Sequence, residues 1–234
     1  MKIYAIVPAR SGSKGCPDKN IRKINGLPLL SYSINFAKKI KDIDRIFCST
    51  DSSKYAEIAK SCGADVPFLR SNYASSDNAM EDDILRDLRI KFLEFDIEEP
   101  DFVVWLRPTF VFRSIIDVEL CLSKIKEDNS ISASRIVTRA ENRLYEIAGS
   151  TLKATFNDKG KSMIRRQDMP ESYKVFNTDI FRFKGNKFEP NYLGNNIFPV
   201  VSSPICGLDI DDVFDFEVVK NIVETDSEVI NEFL

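Results

Sequence analysis

The amino-acid sequence predicts an α/β fold in which helices cover a mostly parallel central sheet. Two observations support this prediction. Short apolar runs alternate with segments of helical periodicity along the first half of the chain, which is the β-α-β rhythm of parallel sheets. The run Phe102–Leu106 is apolar throughout, as is typical of a central strand buried on both faces. With 234 residues, we expect one domain spanning 1–234.

The elements of the first half follow from apolar periodicity and from the Pro and Gly residues that interrupt it. The predicted order is a strand at 3–8, a helix at 28–40, a strand at 45–49, a helix from 52 to 63, a strand at 66–68, a helix at 84–92 and a strand at 102–106. A Ser/Gly-rich loop therefore lies at the carboxyl end of the first strand.

The pattern of the second half changes to shorter strand-like pieces with Gly and Asn breaks, from residue 131 to residue 201. We interpret part of this stretch, at about 138–175, as an inserted or edge region. A strand is predicted within 175–183. A final helix is predicted at 212–223, with Asp212 and Asp215 in its first turn, where carboxylates interact well with the helix dipole.

Composition narrows the possible functions. The formal net charge is -3 with 29% charged residues, which indicates mixed surfaces and no basic stripe for nucleic acid. No apolar run reaches the roughly 20 residues that span a bilayer, so we expect no membrane partner and a cytoplasmic location. The five cysteines are scattered without a Cys-x-x-Cys pair, as expected for reduced thiols.

The chain contains no histidine. This absence excludes Ser-His-Asp and Cys-His catalysis and any histidine-ligated zinc or iron site. Chemistry must therefore rest on Arg, Lys, Asp and Glu.

The loop after the first strand combines flexibility with positive charge. Gly12 and Gly15 let the backbone bend closely around a ligand, and Arg10, Lys14 and Lys19 supply three cations. Open α/β sheets bind ligands at this edge. The loop is neither a Walker A motif nor a Gly-x-Gly-x-x-Gly fingerprint. By spacing alone, a flexible solvated loop is the alternative interpretation.

The whole string Val-Pro-Ala-Arg-Ser-Gly-Ser-Lys-Gly-Cys-Pro-Asp-Lys-Asn, residues 7–20, closely resembles the signature of the CMP-sialic acid synthetase (acylneuraminate cytidylyltransferase) family. The resemblance implies a Rossmann-like (GT-A-like) nucleotidyltransferase fold that couples CTP to an acidic sugar. Residues 45–51 resemble the family's Ile-x-x-Ser-Thr-Asp segment, and residues 68–70 with 76–77 resemble its base-binding region. The nucleotide-binding residues that it implies are Ala9, Arg10, Ser13, Lys14, Lys19, Asn20 and Arg70.

Three further stretches correspond to the family's acidic-sugar site. Leu-Arg-Pro-Thr at 106–109 matches the start of the family pattern Leu-[Gln/Arg]-Pro-Thr-Ser-Pro-x-Arg. The variable position of that pattern, which is Arg107 in this chain, faces the sugar. The chain departs from the Ser-Pro pair of the pattern at 110–111. Arg166 matches a catalytic arginine and Gln167 its sugar-side neighbour, with a solvated basic turn as the alternative. Asn177 matches Asn-Gly-[Ala/Ser], although the chain reads Asn-Thr-Asp at 177–179.

Two carboxylates form a candidate magnesium site. Asp209 and Asp211 are two residues apart, so in an extended strand both leave the same face. Magnesium prefers oxygen ligands and is usually completed by water and substrate phosphates. An acidic turn before a helix is the alternative, but residues 207–216 resemble the family's Ile-Asp-x-x-x-Asp stretch. We assign Asp212 and Asp215 to the helix start.

The resulting hypothesis is an in-line attack of the sugar's anomeric hydroxyl on the α-phosphorus of CTP, with pyrophosphate as the leaving group. The catalytic candidates are Arg10, Lys14, Arg166 and, as proton acceptor, Asp211. Two alternatives stay open: another acceptor, such as a different acidic sugar or a phosphonate, and a non-catalytic nucleotide-sugar binding protein. The resemblance also implies a homodimer in which residues 143–145 contact the partner.

Overall fold

The computed structural model describes residues 1–157 and 164–234. In chain order the strands and helices are β1 (Ile3–Pro8), β2 (Lys23–Ile24), β3 (Leu27–Pro28), α1 (Leu29–Lys39), β4 (Arg45–Ser49), α2 (Ser53–Ser61), α3 (Glu81–Glu94), β5 (Phe102–Leu106), α4 (Ile115–Glu127), β6 (Ala133–Arg139), β7 (Tyr145–Ala148), β8 (Thr151–Ala154), β9 (Tyr173–Lys174), β10 (Thr178–Arg182), β11 (Ile197–Val201), α5 (Val213–Thr225) and α6 (Ser227–Phe233). Short 3-10 helices lie at Lys19–Ile21, Arg166–Asp168 and Pro204–Gly207.

The central sheet has the strand order β11-β6-β10-β5-β1-β4, with β9 paired to β6. Strand β1 is parallel to both β4 and β5, and β6 is parallel to β11. Strand β10 runs antiparallel between β5 and β6, and β9 is antiparallel to β6. The prediction of a mostly parallel central sheet covered by helices is confirmed.

Each face of the sheet has its own hydrophobic core, because successive side chains of a strand point to opposite faces. Along β1, Ile3, Ala5 and Val7 pack with residues of α1, α2 and α4. The alternate residues Tyr4 and Ile6 pack with α3. Strand β5 is buried along its whole length, as its apolar sequence predicts.

Two expectations about secondary structure need correction. The predicted strand at 66–68 is wrong: the stretch has no strand residue, and the nearest pairing is an isolated bridge between Phe47 and Asp65, just before it. Pro67 has no N–H to donate, so the ladder cannot continue past it. The sequence analysis also missed α4, which begins after Ser114, whose side chain accepts a hydrogen bond from the Asp117 backbone. Among the helices of the described residues, none is both long and apolar enough to cross a membrane.

The predicted inserted region at about 138–175 contains a separate two-stranded sheet formed by β7 and β8. Ile147 and Leu152 face each other across this hairpin and are 82% and 66% exposed. Strand β9 returns the chain to the end of β6. The role of this region in a dimer stays a prediction.

Candidate active site

A cleft of about 480 Å³ lies at the carboxyl edge of the sheet. Strands β1, β4 and β5 end side by side there, with Pro8 paired to Ser49 and Ile6 paired to Trp105. The segments that follow these strands form the walls. The structure thereby brings together most of the predicted nucleotide residues and one predicted sugar residue, namely Arg10, Ser13, Lys14, Lys19, Asn20, Arg70 and Arg107.

The loop at 9–20 is fastened at both of its ends. The backbone N–H of Ala9, which is fully buried, donates to the Ser49 carbonyl at 2.8 Å. The backbone N–H and the hydroxyl of Ser11 each donate to the Asp51 carboxylate at 2.8 Å. The Asn20 amide donates to the Arg10 carbonyl at 2.9 Å, while its own oxygen is buried and has no partner among the described residues. These contacts favour a preformed binding loop over a flexible solvated one.

Two cations of this loop are held by one acceptor. Lys14 Nζ lies 2.6 Å from Asp77 Oδ2, and Arg10 Nη1 lies 3.2 Å from Asp77 Oδ1. The hydrogen bond and charge of Lys14, with a smaller contribution from Arg10, hold the pKa of Asp77 below its usual value. The Asp77 side chain is 52% exposed. The Asp77 carboxylate is thus bound to both cations on the solvent side of the cleft. An incoming polyanion can compete with Asp77 for them there.

Arg70 forms the opposite end of the cleft, beside β4. It is buried, and its guanidinium donates to the Ser49 hydroxyl at 3.0 Å and to the Ser49 carbonyl at 2.7 Å. Burial lowers the pKa of Arg70 to about 10, so the side chain stays charged at neutral pH. Its backbone N–H donates to the Thr50 carbonyl at 2.7 Å, which fixes the segment at the strand end.

Asp209 and Asp211 lie in an irregular segment between the 3-10 helix Pro204–Gly207 and α5, so the expected extended strand is wrong. The residue between them connects both sides of the cleft. The Ile210 N–H donates to the Thr109 carbonyl at 3.1 Å, and the Ile210 carbonyl accepts from Lys19 Nζ at 2.6 Å. These two bonds place the acidic segment beside the loop at 9–20 and the end of β5.

The acidic segment also explains why position 15 is a glycine. A Cβ added to Gly15 would lie 2.7 Å from the backbone oxygen of Asp211, which is closer than real Cβ contacts come. The following residues serve the helix start, as predicted. Asp212 accepts from the backbone N–H of Phe214 at 2.8 Å and of Asp215 at 3.0 Å, and Asp215 completes a capping box.

Asp209 has an environment that suits a bound cation. Its Oδ1 is buried without a partner in the described part of the chain. Burial raises the pKa of Asp209, the nearby charge of Asp211 raises it further, and a hydrogen bond from Thr109 partly opposes both. Among the described residues there is no group of three or more His, Cys, Asp or Glu that could hold a metal by itself. Two carboxylates that leave further positions to substrate oxygens fit magnesium.

Arg107 lies at the end of β5, and its guanidinium is bound on several sides. Nη1 donates to Asp179 Oδ2 and to the Phe176 carbonyl, both at 2.9 Å, and Nη2 donates to Glu81 at 3.0 Å. Burial alone lowers the pKa of Arg107, but the charges of Asp179 and Glu81 outweigh it, so the net change is upward. Arg107 therefore stays charged and keeps one orientation.

The remaining predicted sugar residues are not part of this cleft. Gln167 lines a second cavity of about 680 Å³ with Arg139 and Glu171. Asn177 is buried, and its amide nitrogen donates to the carbonyls of Phe112 at 2.9 Å and Cys206 at 2.7 Å. Because both amide hydrogens are used internally, the structure assigns Asn177 to the scaffold, which corrects its expected place on the surface of the sugar site.

Other predictions on the acceptor side have different outcomes. Arg166 begins the 3-10 helix Arg166–Asp168, but its side chain lies outside the described residues, so its catalytic role stays a prediction. The departure from the family's Ser-Pro pair lies in the core: Phe110 and Val111 are 1% and 2% exposed. This departure therefore does not shape the cleft surface.

Sequence reasoning missed three residues around the cleft. Glu81 and Trp105 line it, and Asp179 holds Arg107. Trp105 is 1% exposed, and its indole N–H has no partner among the described residues. A buried tryptophan normally donates its indole N–H to an acceptor. The tryptophan near the end of a predicted buried strand was therefore the sequence signal that could have identified Trp105 as a cleft residue.

Comparison with known proteins agrees with this geometry. The chain is 28% identical over 225 residues to post-translational flagellin modification protein B of Campylobacter coli, which covers 95% of both chains. It is also 28% identical over 224 residues to the CMP-N,N'-diacetyllegionaminic acid synthase of Campylobacter jejuni, again with 95% of both chains covered.

A solved structure shares the fold. It is a CMP:2-keto-3-deoxy-manno-octonic acid synthetase complexed with CTP, with a TM-score of 0.69, 14% identity and coverage of 96% of this chain and 99% of that chain. The family model described as cytidylyltransferase matches residues 4–188. The chain thus belongs to the cytidylyltransferase family and is a CTP-dependent nucleotidyltransferase of the N-acylneuraminate cytidylyltransferase type, as its motif at 7–20 predicted.

Proposed function

We propose that this protein transfers CMP from CTP to a nonulosonic, sialic-acid-like sugar acid and releases pyrophosphate. One observation carries the proposal: cations of the loop at 9–20 and a fixed arginine line one cleft, and the segment with Asp209 is hydrogen-bonded to two lining residues, Lys19 and Thr109. Asp209 is half-buried, and one of its oxygens has no partner among the described residues. The names of the relatives, which include a CMP-N,N'-diacetyllegionaminic acid synthase, support the acceptor class.

The order of the strands suggests how the two substrates lie. Arg70 contacts β4, Arg10 follows β1, and Arg107 follows β5, so the cleft runs across the sheet from β4 to β5. We place the nucleotide at the β4 side, with its base and ribose near Arg70 and its phosphates on Arg10 and Lys14. The acidic sugar then lies at the β5 side, near Arg107.

The phosphates replace Asp77 in this arrangement. Arg10 and Lys14 are already aligned by a single exposed carboxylate, so the incoming triphosphate exchanges one anionic partner for another. Little reorganisation of the loop is required, because its amino end is bound to Ser49 and Asp51 and Asn20 ties its other end to the Arg10 carbonyl. Preorganised cations that face developing charge are an effective means of stabilising a phosphoryl-type transition state.

The chemical step is an in-line displacement at the α-phosphorus. The anomeric oxygen of the acid forms a bond to phosphorus, the bond to the bridging oxygen of the β-phosphate breaks, and pyrophosphate carries away that electron pair. Asp211, exposed at the end of the acidic segment, accepts the hydroxyl proton. Arg10 and Lys14 neutralise the pyrophosphate charge, and no covalent enzyme intermediate is needed.

Magnesium is the cofactor that the carboxylates suit. Asp209 and Asp211 would hold it, and when bound it supplies positive charge beside the reacting phosphates. The buried oxygen of Asp209, which has no partner within residues 1–157 and 164–234, is the observation that fits such an ion. We expect the homodimer and the cytoplasmic location that the sequence analysis predicted, and size-exclusion chromatography with light scattering tests the first of these.

Pyrophosphate release tests the proposal. Purified protein is supplied with CTP, magnesium and, separately, sialic, legionaminic, pseudaminic and 3-deoxy-manno-octulosonic acids. We expect turnover with at least one acid. If none of the four acids causes pyrophosphate release, the acceptor assignment is wrong. Pyrophosphate release with a phosphonate instead would favour the alternative acceptor. CTP binding without turnover of any acceptor would favour a nucleotide-sugar binding protein.

Variants of site residues, each with a control variant outside the site, test in the same assay whether the cleft carries the reaction. Lys14→Ala should lower kcat/KM by about 100-fold or more, because it removes a cation from the developing charge. Its control is Lys187→Ala: this exposed lysine follows β10, whose last residue pairs with Phe102 at the opposite edge of the sheet. Asp209→Asn should abolish the magnesium-dependent reaction, with Asp96→Asn as control. Asp96 has a φ of 50°, which asparagine tolerates.

A further inference from the structure

A variable position and a departure from the resembled pattern in the acceptor region are partners in space. Arg107 occupies the variable position of the Leu-Arg-Pro-Thr segment, and Asp179 stands where the resembled pattern has Ala or Ser. Arg107 Nη1 donates to Asp179 Oδ2 at 2.9 Å, although the residues are 72 positions apart in the chain. We propose that Asp179 is a positioning residue for Arg107 and that this ion pair determines which acid the enzyme accepts, an inference that rests on the proposed function.

The backbone brings these side chains to one face of the sheet. Asp179 pairs with Trp105 on β5 and with Arg135 on β6. Residues directly opposite each other in an antiparallel pair share a face, and Arg107 is two residues beyond Trp105. The carboxylate of Asp179 therefore sits between two arginines of neighbouring strands, at the edge where the cleft opens.

Burial makes the carboxylate a strong positioning group. The Asp179 side chain is fully buried. It accepts from Arg107 at 2.9 Å and from two nitrogens of Arg135 at 2.5 and 3.1 Å. Such charge-assisted bonds with fixed geometry are stronger than ordinary ones. Asp179 is a shared acceptor of Arg107 and Arg135, so its removal leaves Glu81 as the remaining carboxylate beside Arg107 and takes the carboxylate partner of Arg135 away.

Phe176 supplies an independent sign that this cluster serves function. Its φ is 87°, a backbone conformation that is strained for a bulky side chain. Its ring contacts both guanidinium groups: the ring centroid is 4.9 Å from Arg107 Cζ and 5.2 Å from Arg135 Cζ. Strain of this kind persists where the surroundings hold a residue in place, and it concentrates at ligand sites.

The pair presents a restricted surface to the acceptor. Only 12% of the Arg107 side chain is exposed, and Glu81 and Asp179 together balance the charges of Arg107 and Arg135. The acceptor end of the cleft is thus a directional hydrogen-bonding surface. Trp105 also lines the cleft, and its buried N–H has no partner among the residues that the structure describes. Its chemistry suits a sugar acid that offers carboxylate or acyl oxygens at fixed positions.

The experiment measures steady-state pyrophosphate release with each of the four acids, including those that the wild type rejects, for Arg107→Gln, Asp179→Ser, Asp179→Asn and the double variant R107Q/D179S. We expect Asp179→Ser to raise the acceptor KM at least tenfold while the CTP KM changes less than about threefold. Asp179→Asn should recover part of that loss. The double variant should lose no more than the larger single loss, because the two residues act as one unit.

The matched control is the exposed pair Arg45–Asp65, which also has a 2.9 Å separation and lies at the amino end of β4. R45Q/D65S should leave both KM values unchanged. An acceptor KM in Asp179→Ser equal to that of this control overturns the inference, and so does an equal rise in both KM values. If Asp179→Ser does not fold, as judged by circular dichroism, Asp179→Asn and Arg107→Gln decide by the same criterion. A wild type that turns over none of the acids removes the proposed function and this inference together.

Discussion

Substitution of Gly15 by alanine is the sharpest test of how the phosphate loop meets the acidic segment. The added Cβ would lie 2.7 Å from the backbone oxygen of Asp211, about 0.7 Å inside the 3.4 Å at which ordinary contact begins. Both sides of this contact are backbone, so neither can rotate away. The loop and the segment with Asp209 must separate, and the phosphate-binding cations then lose their register with the carboxylates.

The expected magnitude follows from that displacement. A misplacement of about 1 Å at reacting groups costs about 100-fold in rate, so we expect kcat/KM of Gly15→Ala to fall by about 30- to 100-fold. Overpacking should also lower the unfolding free energy by about 1–3 kcal/mol. The assay is pyrophosphate release at saturating acceptor, combined with urea denaturation.

The loop contains its own control for this prediction. A Cβ at Gly12 meets nothing within 4 Å, so Gly12→Ala changes the same residue type in the same loop without a clash. We expect Gly12→Ala to keep kcat/KM within about threefold of the wild type. Equal kcat/KM and equal urea midpoints for the two variants would refute the proposed contact between loop and acidic segment.

Three other predictions concern charges and caps. Burial raises the pKa of Asp209 in the folded state, so the protein loses stability as pH rises through that pKa and the carboxyl ionises. Asp209→Asn should therefore raise Tm at pH 7 without magnesium. An unchanged or lower Tm contradicts this prediction. Arg113 is fully buried and donates to the Thr178 hydroxyl and to the Arg107 carbonyl. Arg113→Lys should lower the free energy of unfolding in urea by about 1–3 kcal/mol. An unchanged urea midpoint counts against this bridge. Asp212→Ala should cost about 1 kcal/mol through loss of the α5 cap yet keep kcat/KM, and lost turnover at full stability would place Asp212 in the site instead.

The fold was largely predictable because periodicity reports burial directly. The apolar run Phe102–Leu106 and the alternation of short apolar runs with helical segments were sufficient for a central sheet with helices on both faces. The errors have local causes. The stretch at 66–68 is apolar, but Pro67 cannot extend a ladder, and α4 was missed although Ser114 and Asp117 supply a helix start.

The site was predictable where a motif is local and compact. The string at 7–20 contains Arg10, Lys14 and Asn20 within one loop, and the structure confirms that all three line one cleft. Residues whose role depends on distant partners were harder. Asn177 lies in a recognisable segment, yet it is turned inward, because the carbonyls of Phe112 and Cys206 take both of its amide hydrogens.

The chemistry was readable from local sequence: the string at 7–20 resembles the cytidylyltransferase signature, and the absence of histidine leaves Arg, Lys and Asp as the candidate groups, which requires no knowledge of the fold. The side-chain partners required the three-dimensional contacts. Arg107 meets Asp179 across 72 positions, and one oxygen of Asp209 is buried with no partner in the described part of the chain. Those outcomes depend on strand order and burial, which set the neighbours and the charge of a side chain regardless of its distance along the chain.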